Sequence, residues 1–127
     1  MQSDSTAKRK TLVLGATDNP GRYAFLAINR LVEQGHPVIA VGKRDGTVAG
    51  ISIQKEFPSG SEDIHTITMY LNAANQRMYH DRILALHPKR IIFNPGSENP
   101  ILKNLALAEG IAVEEACTLV MLTTGAF

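Results

Sequence analysis

TLVLGATDNPGR, residues Thr11 to Arg22, is the stretch on which the fold turns. Thr11 to Leu14 runs apolar without the alternation of a half-exposed strand, which is the pattern of a strand covered on both faces. Gly15 then permits a tight turn or a close ligand approach. Asn19 and Pro20 form a helix-start signature: the asparagine oxygen caps free N–H groups, and a proline at the first helical position lacks an N–H that would be unpaired anyway. Ala24, Ala27, Ile28 and Leu31 fall at i, i+3, i+4 and i+7, one face of a helix that Gly35 and Pro37 bring to an end. Val38 to Val41 (VIAV) is a second buried-type strand. Strand, helix and strand make a βαβ unit, whose crossover is right-handed almost without exception.

Working outward, Gly42 to Gly46 reads as a polar turn, Gly50 to Ile53 as a short third strand, and Glu56 to Asp63, with Pro58 and Gly60, as a loop or a single helical turn. Thr66 to Leu71 (TITMYL) is a further strand. After Asn72, the spacing of Tyr79, Ile83 and Leu86 predicts a long helix ending near Pro88. Arg90 to Phe93 (RIIF) restarts the sheet. Asn99 and Pro100 repeat the signature of Asn19 and Pro20, and Leu102, Leu105, Ala106 and Glu109 mark the next helix, up to Gly110. Ile111 to Val113 and Leu119 to Leu122 (LVML) are the last apolar runs, the second a strand or a buried helix. This alternation predicts an α/β fold: a Rossmann-like doubly wound, mainly parallel sheet of five to six strands with helices on both faces.

With 127 residues, the chain has room for one domain, expected over residues 11–127 after a flexible polar tail at residues 1–10. Thirteen Lys and Arg against twelve Asp and Glu leave a net charge of +1, no field to hold nucleic acid or an anionic membrane. Any anion must be met locally. A single cysteine, Cys117, excludes an intrachain disulfide and fits a reducing cytoplasm; no Cys/His cluster has the spacing of a metal site. The polar start MQSDSTAKRK lacks the apolar run of a secretion signal, and nowhere do about 18 apolar residues stand together. Lys8, Arg9 and Lys10 read as a solvated lead-in to the first strand.

In such a sheet, ligands bind beyond the carboxyl ends of the strands, which directs attention to the loops after Leu14, Val41, Leu71 and Phe93. The first loop, Gly15, Ala16, Thr17, Asp18, Asn19, Pro20, Gly21 and Arg22, joins a glycine turn to a helix N-terminus and suits a phosphate or pyrophosphate. A dinucleotide fingerprint would need glycine at 15, 17 and 20, and only Gly15 complies. In the second loop, Lys43 and Arg44 after Gly42 suit a ribose phosphate, as on coenzyme A or NADP, or form a solvated turn; Asp45 leaves a plain NAD ribose open. The third and fourth, Asn72 to Asn75 and Asn94 to Glu98, offer amides and hydroxyls but no compelling nucleophile.

Together, VLGATDNPGRY (13 to 23), EQGHPVIAVGKR (33 to 44), TMYLNAANQ (68 to 76), FNPGSENP (93 to 100) and EEACTLVML (114 to 122) resemble the small stand-alone coenzyme-A-binding proteins, similar to the N-terminal domain of the succinyl-coenzyme A synthetase α subunit. The resemblance covers nearly the whole chain after Thr11. It implies that Gly15 to Arg22 embraces the coenzyme's diphosphate, that Gly42, Lys43 and Arg44 border its adenosine, and that Leu71, Asn72, Asn94, Pro95 and Gly96 border the pantetheine path. Val41-Gly42-Lys43 and Leu71-Asn72 depart from the Val-Asn-Pro and Val-Pro often seen in the family. The synthetases' second domain, with its phosphorylated histidine, has no counterpart in this chain, so their ligase chemistry is not carried over.

No catalytic residue is assigned. His36, His65, His80 and His87 lie apart, without an evident triad or metal set. Cys117 is either a small buried hydrophobe or a thiol near the ligand's reactive end. Glu114 and Glu115 are adjacent rather than paired across a cleft and read as a solvated rim. The expected function is a binding module for coenzyme A or a short acyl-coenzyme A. The alternatives are a small NADP-linked or acyl-transferring enzyme and an interaction protein that has lost its ligand. A homodimer is compatible with a domain of this size.

Overall fold

The computed structural model describes residues 8–127. Of the tail expected at residues 1–10, residues 1–7 lie outside the described ones. Seven strands form one sheet: β1 (Thr11–Leu14), β2 (Val38–Val41), β3 (Gly46–Val48), β4 (Ile51–Gln54), β5 (Thr66–Met69), β6 (Arg90–Phe93) and β7 (Ala112–Glu115), in the order β3-β4-β2-β1-β5-β6-β7. Every pairing is parallel except β3 with β4. Leu14, Val41, Met69 and Phe93 end their strands in register, so the loops after them open along one edge.

The continuous apolar runs follow from burial on both faces. Leu12, Leu14, Ile67, Met69, Ile91 and Phe93 pack with Ile83 of α3 (His80–Ala85) and with Leu102 and Ala106 of α4 (Pro100–Ala108). On the other face, Val13 and Ala40 pack with Ala24, Ile28 and Leu31 of α1 (Tyr23–Glu33) and Leu122 of α5 (Thr118–Thr124). Alternate residues of β1 thus serve opposite cores, and no position of that strand is free to be polar in the manner of a half-exposed one.

Several elements differ from expectation. The sheet has seven strands rather than five or six, because Gly46 to Gln54 folds as a hairpin. Its two-residue turn, Ala49 (φ 52°) and Gly50 (φ 82°), has the positive dihedrals of a tight hairpin without the Asn-Gly pair that usually announces one. The long helix after Asn72 is broken into α2 (Ala73–Gln76), a 3-10 turn (Arg77–Tyr79) and α3. LVML, open between strand and helix, lies in α5: the Asn94 side-chain oxygen accepts the Thr118 N–H at 2.8 Å, and Gly125 ends the helix in the left-handed region. Glu114 is not a free rim charge. It pairs at 3.2 Å with Arg90, whose Nε donates to the Thr66 hydroxyl at 2.8 Å.

Asn19-Pro20 and Asn99-Pro100 also part company. Asn99 caps α4 as expected, accepting the Leu102 N–H, with Pro100 first in the helix. The Asn19 oxygen instead accepts the Gly21 N–H two residues on, at 2.9 Å, and α1 starts only at Tyr23. An Asx turn has replaced the cap.

Candidate functional site

At the carboxyl edge of β2, β1, β5 and β6 the chain encloses a groove of about 640 Å³. Gly15, Ala16, Thr17, Asp18, Asn19 and Arg22 form one side, Gly42, Lys43 and Arg44 an end, and Leu71, Asn72, Pro95 and Gly96 the opposite wall. Pro20, Gly21 and Asn94 do not line it. Asn94 is buried beneath, where its amide donates to the Thr68 hydroxyl at 2.8 Å and to the Met69 carbonyl at 2.9 Å while its oxygen holds the start of α5. It is a brace, not a contact surface.

The first loop owes its shape to the second. Both Gly15 and Ala16 donate their N–H groups to the Val41 carbonyl, at 3.0 and 2.9 Å, so neither is free for a ligand. A Cβ on Gly42 would stand 2.3 Å from the Ala16 oxygen, and one on Gly15 (φ 96°) would meet the Tyr70 and Leu71 backbone at 3.1 to 3.2 Å. Glycine at both positions lets the loops interlock. Asn19 N–H is taken by the Thr17 hydroxyl at 3.1 Å and Arg22 N–H by the Asn19 carbonyl at 3.1 Å. Among the described residues, the Thr17, Asp18, Tyr23 and Ala24 N–H groups have no such partner, and all four residues line the groove.

The start of α1 is electrostatically odd. Its N-cap residue is Arg22, no side chain caps it, and its first turn holds no acid. A cation at the positive end of a helix is unfavourable by about 0.3–1 kcal/mol. Lys43 and Arg44 stand at the neighbouring strand end, and none of the three cations forms an ion pair among the described residues. Among the described residues, Asp18 is the lone carboxylate of the lining, so a chain of net charge +1 gathers a local excess of positive charge here.

The opposite wall is built on Gln76, which is fully buried. Its Nε2 donates to the Leu71 carbonyl at 2.8 Å and the Ser97 carbonyl at 2.7 Å, and its Oε1 accepts from Asn99 at 2.9 Å. Asn72 caps α2 through the Asn75 N–H at 2.9 Å. The two loops of this wall are thereby tied to each other and to the start of α4.

Asn75 and Ser97, from the two loops that the sequence places at the crevice, also line the groove, as do Tyr23, Tyr70, Met78 and Tyr79, which the sequence reading does not single out as site residues. Tyr79 packs against the core together with Ile83 and Leu86, as their shared spacing predicts, and the 3-10 turn that it ends also brings it and Met78 onto the lining. Tyr70 lies with its hydroxyl buried and unpartnered, since the nearby Thr68 and Thr118 hydroxyls bond each other at 2.7 Å. Burial pushes this phenol up to about 12, against a weaker opposite pull from those two hydroxyls, so it stays protonated. Cys117 is half-buried before α5 and is not on the lining, and none of the four histidines is.

Sheet, helices and groove define a Rossmann-like α/β protein. The family model of the CoA binding domain matches residues 9–123, and the chain belongs to that family. A solved structure described as an uncharacterized protein is 46% identical, with a TM-score of 0.89, over 95% of this chain and 99% of its own. A hypothetical protein from Pyrococcus horikoshii OT3 (20% identity, TM-score 0.81, 95% of this chain and 86% of that one) and a Thermus thermophilus protein (21%, 0.78, 97% and 93%) share the fold. No curated protein matches the chain.

Proposed function

We propose that this chain is a binding module for coenzyme A or a short acyl-coenzyme A, held in the groove with its diphosphate at the start of α1 and its ribose phosphate toward Lys43 and Arg44. Membership of the CoA binding domain family supports a ligand of this class. The observation that carries the reading is the uncapped start of α1, where Arg22 and the free N–H groups of Tyr23 and Ala24 meet two further unpaired cations. An anion there would supply the missing acceptors and neutralise the charge. The two departures from the family pattern have local explanations that keep the site open: Gly42 makes room for the Ala16 carbonyl, and Asn72 caps α2.

NADP is the second reading, because Lys43 and Arg44 suit a 2′-phosphate on the same physical grounds. A thermal-shift panel of coenzyme A, dephospho-coenzyme A, NADP and NAD separates them. A ligand present at 100 times its dissociation constant stabilises the fold by about 2.7 kcal/mol. The reading predicts the largest rise with coenzyme A and a smaller one with its dephospho form. A larger rise with NADP favours the second reading, and no rise with any of the four leaves the interaction protein.

A further inference from the structure

The acid that the sequence offers to a ribose hydroxyl, Asp45 after β2, is not on the lining of the groove, whereas Asp18, from the first loop, is. The Asp18 side chain reaches the turn that follows β2. A Cβ built on Gly46, the first residue of β3, would stand 2.7 Å from Asp18 Oδ2 and 3.2 Å from the Asp18 Cβ, so the carboxylate lies against bare backbone that only glycine provides. Lys43 and Arg44 belong to the same turn and also line the groove, yet among the described residues Asp18 forms no ion pair with either. The side-chain hydrogen bonds of its own loop are made by Thr17 and Asn19, and the Asp18 carboxylate takes no part in them. A carboxylate in a groove for phosphates opposes their charge. What it can do for a ligand is accept a hydrogen bond from a neutral donor lying beside those phosphates.

The ribose of coenzyme A joins its 5′-diphosphate to its 3′-phosphate and keeps one free hydroxyl, at 2′. Asp18 spans the same interval, with its main chain in the diphosphate loop and its carboxylate at the turn of Lys43 and Arg44. We infer that Asp18 accepts a hydrogen bond from the ribose 2′-hydroxyl, so that the groove reads the sugar as well as its phosphates; this rests on the coenzyme A reading above. Calorimetric titrations are expected to show coenzyme A binding about tenfold more tightly than 2′-deoxy-coenzyme A, the worth of one hydrogen bond to a charged acceptor. In Asp18→Ala the ratio falls below about twofold. The deoxy ligand then binds at least as tightly as to the wild type, because a charge opposing the phosphates is gone, whereas loss of a merely structural residue would weaken both ligands alike. Gly46→Ala keeps the charge but displaces it, since the added methyl takes the place of the Asp18 carboxylate, and the ratio falls there too. Asp45→Ala, off the lining, leaves the ratio at the wild-type value. Equal affinities in the wild type, a ratio that survives Asp18→Ala or Gly46→Ala, or one that is lost in Asp45→Ala overturns the inference and leaves the coenzyme A reading standing. Failure of coenzyme A itself to bind the wild type overturns both.

Discussion

Arg22 shows why a residue that local rules disfavour repays attention. Serine is a far better N-cap than arginine and removes the like-charge conflict with the helix, so Arg22→Ser should stabilise the ligand-free fold by about 1 kcal/mol. The same change should weaken coenzyme A binding, because it deletes a cation at the anion's position. Urea unfolding beside a titration checks both signs; a variant that loses stability or keeps full affinity contradicts the assignment. Gly42 makes the opposite case, a residue whose side chain is excluded by geometry. With the Ala16 oxygen 2.3 Å from a would-be Cβ, Gly42→Ala should destabilise by about 1–3 kcal/mol and displace the first loop. That demand was invisible in the sequence, where Gly42 was one of ten glycines. The two Asn-Pro pairs are equally instructive. Asn19 and Asn99 carry the same dipeptide, yet the Asn19 oxygen accepts the Gly21 N–H two residues on and the Asn99 oxygen the Leu102 N–H three residues on, so only the second caps its helix.

Elements were legible where a period ran uninterrupted and obscure where a tertiary contact cut it. β1, α1 and β2 match their reading closely because both faces of β1 and one of α1 are core, and burial writes itself as periodicity. The helix after Asn72 was overdrawn: the spacing of Tyr79, Ile83 and Leu86 is helical, but Gln76 is pulled inward by three bonds to other loops. Nothing in a single sequence distinguishes a glutamine that braces two loops from one on a solvated face. Met78 and Tyr79 were missed as lining residues for the same reason. Replacing Gln76 by the similar-sized Met should strand the Leu71 and Ser97 carbonyls and one Asn99 donor, costing about 2 kcal/mol or more. It should also loosen the wall that Asn72 and Gly96 share. Faster amide exchange over Asn72 to Tyr79 and Pro95 to Asn99 is the expected sign, and an unchanged pattern would refute the bracing role.

Across the whole molecule, the two ends of the sheet divide the labour. The carboxyl edge holds the groove; the amino edge holds Arg9, His36, His65 and Arg90, with the Arg9 N–H donating to His36 Nδ1 at 3.0 Å. Burial, then Lys8, Arg9 and Arg90, hold His36 below the ordinary 6.5, and burial with Arg9, Arg90 and Lys89 does the same for His65. Because the folded values lie below 6.5, the unfolded chain binds more protons between the two values. Stability is therefore whole above about pH 6.5 and declines as the pH falls from there through the folded values. Urea midpoints should drop on acidification, and less so in His36→Gln, whose amide oxygen can accept the Arg9 N–H at any pH. A midpoint that rises as the pH falls would reverse the sign of this account. No helix of the described residues is long and apolar enough to cross a membrane.

The central claim, an anion seated at the start of α1 within the groove, is met most directly by a backbone amide NMR titration with coenzyme A. The account predicts that the largest shifts fall on Thr17, Asp18, Tyr23 and Ala24, with smaller ones at Lys43, Arg44 and Asn72, and that the Gly15 and Ala16 amides, held by Val41, move less. Largest shifts at the opposite edge, around Arg9, His36 and Phe127, or no shifts at saturating coenzyme, would contradict it.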